Sequence, residues 1–270
     1  MLRLRPSSRP VFAPPFPHSS EQPVSTSASP TDAAPPAAPQ ASVWEDFIDS
    51  FCAPPQVVAR RQAGGFGLPL LVFTVVAVLL YYLTKPLLEP VFDAEFQRQM
   101  AAVMKKNPQI KPEQLGQMRA MGDKFGLIAV AFIMPITALL LGFVTWLVSK
   151  LFDAKETVGA ATMIATYALF PRLIQQVVHG LQGLVLAPEQ MRSMYSVTLS
   201  PARFFDPDTV SPFVLALAGR VDLFVIWSTV LIAIGLHIIG KIPKDRAYIA
   251  AAIVWVCGAI PPLGQAVQQG

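Results

Sequence analysis

The sequence predicts an all-α fold: a polytopic membrane bundle of five transmembrane helices, with amphipathic interfacial helices and a disordered amino-terminal tail. The first observation is composition, because 53% of the 270 residues are hydrophobic and only 14% are charged, against about 25% charged in soluble domains. The second is the recurrence of apolar runs of about 20 residues, the length that crosses a bilayer as a helix. The third is a proline-rich opening that cannot support a packed core.

Residues 1–42 are predicted to form the disordered tail. Ten of the first 40 residues are proline, interleaved with alanine, serine and threonine. A targeting peptide is the other interpretation, since the opening is basic and contains no acid before Glu21. Prolines interrupt every apolar run that a signal peptide would need, so we interpret the segment as a flexible tail.

Residues 43–65 are predicted to be an amphipathic segment just ahead of the membrane. Ser42 is placed to cap a helix that ends before Pro54, and Arg60 and Arg61 follow it. Four apolar positions of that helix share one face: Trp44, Phe47, Ile48 and Phe51. Aromatic residues on one face, with arginines just before a span, are typical of the membrane interface.

Residues 66–267 are predicted to form a five-span membrane domain. The spans are expected at about 66–88, 126–151, 157–186, 212–239 and 246–267. A polar helical insert, 89–124, separates the first two spans, and Asn107 followed by proline should divide it into two helices. Prolines inside three of the spans are tolerated, because neighbouring helices can satisfy the freed carbonyl groups.

The distribution of lysine and arginine predicts the orientation. Basic residues of the short loops on the amino-terminal side are Lys150, Lys155, Lys241, Lys244 and Arg246. They favour a cytoplasmic amino terminus, whereas the basic residues of the insert favour the opposite. We expect an integral protein of the bacterial cytoplasmic membrane with its amino terminus inside.

Polar residues inside two predicted spans form the candidate functional cluster. In the third span, the spacing i, i+3, i+4, i+7 places four side chains on one helix face: Arg172, Gln175, Gln176 and His179. The fourth span contributes Arg220 and Asp222, and we expect Asp222 to pair with Arg172 or Arg220. The sequence leaves two interpretations open. One is structural, an interhelical clamp, or an interfacial face if the span ends near Pro171. The other is a pathway for an ion, proton or substrate.

Catalysis, metal binding and nucleic-acid binding lack sequence support. No HExxH, GxSxG, Walker A or GxGxxG pattern occurs, so we expect no enzyme, no catalytic residue and no cofactor. Cys52 and Cys257 are far apart, and no cysteine and histidine cluster has the spacing of a metal site. The net charge of +4 is spread through loops, which indicates no nucleic-acid partner.

Three stretches resemble the Yip1 domain family, and its prokaryotic members most. They are WEDFIDSFCAPPQVVARRQ before the first span, YALFPRLI in the third, and IGKIPKDRAYIAAAIVW around the last loop. The resemblance covers residues 44–267 and implies a fold and a topology. The tyrosine-glycine motifs of the eukaryotic members, which are tied to Rab GTPases, do not occur.

These features together predict a multi-pass membrane scaffold or organiser without catalytic activity. It would sit in the lipid bilayer and bind protein partners or lipid, or form a homo-oligomer. The alternative is a small transporter or channel component that uses the intramembrane arginine, histidine and aspartate residues.

Overall fold

The computed structural model describes residues 42–62, 65–107, 109 and 112–269, and every regular element within them is helical. The predicted disordered tail, apart from Ser42, lies outside the described residues. The helices are α1 Val43–Cys52, α2 Pro54–Arg60, α3 Gly67–Thr84, α4 Glu89–Lys106, α5 Pro112–Lys150, α6 Val158–Ala168, α7 Pro171–Val185, α8 Pro212–Gly219, α9 Leu223–Ile238, α10 Lys244–Cys257 and α11 Ile260–Gln269. The all-α prediction is confirmed.

Three helical stretches of the described chain are long and apolar enough to cross a membrane: Gly67–Lys106, Gly116–Lys150 and Lys244–Gln268. Helices α8 and α9, bent by 52°, make a fourth if they are counted as one span. A polytopic helical membrane protein is therefore confirmed, but the count of five is not. The third predicted span is divided into α6 and α7, whose 11 and 15 residues correspond to about 16 and 22 Å against a hydrocarbon core of about 30 Å.

Helix α6 is the central element of the bundle. Ten consecutive residues, 161–170, are buried, so the helix beyond its first turn has no face left for lipid. The hydroxyl groups of Thr162 and Thr166 donate to the carbonyls four residues earlier, at 2.9 and 2.8 Å. These bonds satisfy the two threonine hydroxyls within the helix itself.

Helices α3 and α5 carry the most prominent apolar outer faces. On α3 the exposed residues recur every three or four positions: Leu68, Leu71, Val75 and Leu79. On α5 they are Ile128, Phe132, Ile136, Leu140, Phe143 and Leu147. Continuous apolar faces of this extent are typical of a surface that contacts hydrocarbon.

The predicted insert is a helical hairpin whose second helix is continuous with the second span. Helix α4 ends at Lys106, as the Asn107 break predicts, whereas α5 runs from Pro112 through 39 residues to Lys150. Arg119 of α5 joins the two helices by pairing with two carboxylates of α4, Glu89 at 2.8 Å and Asp93 at 2.6 Å. It also pairs with Asp123 of its own helix at 3.3 Å.

The close approach of α5 to α6 depends on Gly142. A Cβ atom at this position would lie 2.6 Å from the Cα atom of Thr162, which is backbone and cannot rotate away. We expect Gly142→Ala to lower the free energy of unfolding by about 1–3 kcal/mol, measured by thermal or denaturant unfolding in mild detergent. The matched control is Gly122→Ala on the same helix, where no atom lies within 4 Å. The control should be neutral or stabilising, and equal losses in both variants would contradict the packing argument.

Candidate functional site

The first polar centre of the bundle surrounds Asp46, whose side chain is fully buried. Its Oδ1 accepts a hydrogen bond from Nη2 of Arg60 at 3.0 Å. Its Oδ2 accepts from Nε of Arg61 at 2.6 Å and from the hydroxyl of Tyr167 at 2.8 Å. This group, called the Asp46 centre below, joins α1, the end of α2 and α6.

The Asp46 centre compensates the cost of burying a carboxylate. Two guanidinium groups and a hydroxyl satisfy both oxygens, and a buried ion is tolerated only with such complete pairing. Asp49 adds a second carboxylate 2.6 Å from Nη2 of Arg60, and this hydrogen bond raises the pKa of Arg60. The ion pairs therefore join α1 to the end of α2, and the hydrogen bond from the Tyr167 hydroxyl links that segment to the central helix.

Sequence reasoning did not find the Asp46 centre. It predicted α1 and its cap, which the structure has as a capping box between Ser42 and Glu45. It assigned importance to the apolar face, of which Phe47 does pack on Phe170 at 5.8 Å between ring centroids, while Trp44 and Ile48 are 65% and 50% exposed. The most deeply buried side chain of α1 is instead that of Asp46. The available signal was an acid in α1 followed 14 and 15 residues later by two arginines.

The second polar centre surrounds Asp222, which is 1% exposed and caps the amino terminus of α9. Its Oδ1 accepts from the backbone N–H of Phe224 and from Nε2 of Gln175, both at 2.9 Å. Its Oδ2 accepts from the backbone N–H of Leu199 at 3.1 Å. This group, called the Asp222 centre below, joins α7, the 186–211 loop and α9.

Arg172 reaches the Asp222 centre through Gln175. Nη1 of Arg172 donates to Oε1 of Gln175 at 2.7 Å, and the amide nitrogen of Gln175 then donates to Asp222. The predicted direct pairing of Asp222 with an arginine is wrong for the described residues, in which no ion pair joins Asp222 to Arg172 or Arg220. The physical reason is the break between α8 and α9, which turns the carboxylate toward the first N–H groups of α9.

The remaining predicted residues make no hydrogen bond to Asp222 in the described part of the chain. Arg220 bonds to α10, where Nη2 donates to the carbonyl of Trp255 at 2.8 Å and the guanidinium lies 5.4 Å from the indole centroid. Gln176 donates to the hydroxyl of Thr84 at 2.7 Å, at the end of α3. Nε2 of His179 is buried and has no hydrogen-bond partner among the described residues.

A cavity of about 280 Å³ lies between α3, α5 and α7. Its polar lining includes Arg172, Gln175, Gln176 and Tyr81, and most of its other lining residues are apolar. Within the described ranges, no group of three or more histidine, cysteine, aspartate or glutamate residues is placed to hold a metal ion.

Two buried polar centres join the short inner helices, and the outer helices expose apolar faces. This arrangement defines a helical integral membrane protein. The profile of the Yip1 domain family matches residues 55–263, which is more than half of the chain. The chain belongs to the Yip1 domain family, as the sequence resemblance predicts. Arg60, Arg61 and Tyr167 lie in the matched region, and Asp46 lies ahead of it.

A bacterial relative supports the prokaryotic type of the family. The chain is 33% identical over 133 residues to a protein of Bacillus subtilis (strain 168) described as membrane protein YknW. The similarity covers 49% of this chain and 54% of that relative, so the chain spans about half the length of the curated relative it matches. No solved structure matches the chain.

Proposed function

We propose that the protein is a non-catalytic membrane scaffold or organiser that binds protein partners or lipid. The observation that carries the proposal is the hydrogen bonding of Asp222. Both of its oxygens are occupied by three donors, two of which are backbone N–H groups. A carboxylate that transports a proton or a cation must break such hydrogen bonds during each cycle. At Asp222 this would remove the cap of α9. The hydrogen bonding therefore favours an interhelical clamp.

A rigid polar surface outside the apolar faces supports a role in partner binding. Arg98 of α4 pairs with Glu95 and Asp208, both at 3.4 Å, and Glu95 accepts from the backbone N–H of Met194 at 2.9 Å. These bonds fix α4 to the 186–211 loop. The same loop exposes Phe204 by 83%, an aromatic anchor of the kind that is enriched at protein interfaces.

The proposed location is the bacterial cytoplasmic membrane, with a cytoplasmic amino terminus. The α5–α6 and α9–α10 loops contact each other, since the backbone N–H of Lys155 donates to the carbonyl of Gly240 at 3.1 Å. Lys150, Lys241 and Lys244 flank this contact, so one end of the bundle gathers basic residues, as cytoplasmic ends do.

Site-specific photo-cross-linking in native membranes tests the scaffold proposal. A photoreactive residue at Phe204 should give discrete protein adducts, either with a partner or with a second copy of the chain. The matched control is the same residue at Leu140, which is 59% exposed on the apolar face of α5 and should give lipid adducts. An absence of protein adducts at Phe204, with intact expression, would contradict partner binding at this surface.

Transport is the second candidate function, and the broken α8–α9 pair favours it. Helices interrupted within a bilayer form substrate and ion sites in many transporters, and here the 52° bend lies between Arg220 and Asp222. Ion and proton flux into proteoliposomes that contain the full chain is the direct measurement. Flux that is abolished in a folded Asp222→Asn variant would replace the scaffold proposal by transport.

A further inference from the structure

Arg172 carries a positive charge that its protein surroundings leave largely unpaired. A guanidinium has five N–H donors, and the only hydrogen-bond partner of Arg172 in the described chain is Oε1 of Gln175. The segments around Asp222 carry two positive charges, on Arg172 and Arg220, and one negative charge, on Asp222. One unit of positive charge therefore remains uncompensated, which is costly within a bilayer unless an anion or water is present.

The unpaired charge borders the cavity between α3, α5 and α7. Arg172, Gln176 and Tyr81 all line it, and together they supply guanidinium, amide and hydroxyl donors. Gln176 lies four residues beyond Arg172, about 6 Å along the helix, and bonds to Thr84, the last residue of α3. The guanidinium group is thus close to one end of the first span. At that depth an arginine side chain is long enough to reach the headgroup layer.

The rest of the cavity wall distinguishes a lipid from a free anion. Six apolar residues line it: Phe73, Ala77, Val130, Met134, Leu169 and Leu173. A free phosphate keeps its hydration shell and would leave this wall uncovered, whereas a phospholipid brings glycerol and acyl groups that cover it. Phe73 and Leu173 also border a second groove of about 280 Å³ between α1, α3 and α7, which is lined by apolar residues alone and suits an acyl chain.

We propose that the cavity between α3, α5 and α7 binds an anionic phospholipid, with the phosphate of the headgroup against the Arg172 guanidinium. A lipid phosphate and a free phosphate would both bind in the same way, as an oxyanion that accepts charge-assisted hydrogen bonds from the planar guanidinium group. This inference rests on the lipid-binding part of the proposed function and names the ligand class. It is independent of the protein-binding surface at Phe204.

Native mass spectrometry of the full chain, after exchange into detergent with defined lipids, tests the site. Phosphatidylglycerol and phosphatidylcholine with identical acyl chains are offered at equal concentration. Both carry the phosphate, but the choline cation of phosphatidylcholine offsets its charge and competes with the guanidinium. We expect wild type to retain phosphatidylglycerol about tenfold more, equivalent to about 1.4 kcal/mol, and Arg172→Gln to remove this preference. The matched control is Arg203→Gln, which deletes the charge of a loop arginine that stacks on Phe204 and should keep the preference.

Three outcomes overturn the proposal: equal retention of both lipids by wild type, an undiminished preference in Arg172→Gln, or lipid-free binding of inorganic phosphate with displacement of phosphatidylglycerol. Val130→Trp fills the cavity without touching the charge, and it decides the question if Arg172→Gln does not fold. It should also lose phosphatidylglycerol while size-exclusion profile and helicity stay unchanged. Protein adducts at Phe204 persist if only the lipid site is wrong, and they are absent if the scaffold proposal is wrong.

Discussion

Asp46→Ala is expected to lower the free energy of unfolding by about 3–5 kcal/mol, the loss that follows removal of one partner from a buried ion pair. The substitution leaves the Arg60 and Arg61 guanidinium groups and the buried Tyr167 hydroxyl without their common acceptor. It also leaves a void beside α6, where Asp46 is 0% exposed. Equilibrium unfolding in mild detergent, monitored by helicity, measures the loss.

Asp49→Ala is the control for this prediction, because Asp49 pairs with Arg60 but is 29% exposed. We expect a loss of about 1 kcal/mol or less, as for a partly solvated pair. A double-mutant cycle with Tyr167→Phe, which removes only the hydroxyl, should show coupling to Asp46. Equal losses for the two aspartates would show that the Asp46 centre does not hold the α1–α2 segment.

Asp222→Ala is expected to cost about 3 kcal/mol. It removes the cap of α9, worth about 1 kcal/mol, and it leaves the Gln175 amide and the Leu199 N–H unpaired in a buried position. Thermal unfolding measures the total effect. Hydrogen exchange at the amides of Phe224 and Leu199 locates it, because both should exchange faster in the variant.

Asp222→Asn removes the charge and one of the two acceptor oxygens in the same centre. It keeps one acceptor oxygen, so it should retain about half of the stability that Asp222→Ala loses. Asp208→Ala is a control in the exposed loop, where the side chain is about half exposed, and should change stability by about 0.5 kcal/mol or less. A variant lacking Asp222 that unfolds like wild type would remove the clamp interpretation and strengthen transport.

Local patterns in the sequence were sufficient to predict some of the individual helices, but not the breaks between α6 and α7 or between α8 and α9. The apolar runs around Leu71, Leu140 and Ile232 correspond to α3, α5 and α9, and Ser42 caps α1 as its position indicates. The i, i+3 spacing predicts Arg172 and Gln175 on one helix face, and the structure adds a hydrogen bond between them. These successes share a cause, because each depends on residues within one or two helical turns.

The spans and the partners were harder to predict, because they depend on residues far apart in the chain. Helix α6 is as apolar as a lipid-facing helix, so hydropathy alone cannot show that protein surrounds it on every side. Tyr167 is 121 residues from Asp46, a separation that no local pattern reports. Asp222 was placed inside a continuous helix, although an aspartate directly before an apolar run is a signal for the start of a helix.

The enclosure of α6 has a consequence for the biosynthesis of the protein. Helices α6 and α7 leave the ribosome after α3 but before α9, which covers part of α6 and supplies Asp222 to Gln175. Until residues beyond 222 have been synthesised, Arg172 and Gln175 have no acidic neighbour, and the translocon would release a polar helix into lipid. Helices α6 and α7 can therefore reach their final places in the bundle only after α9 has been synthesised.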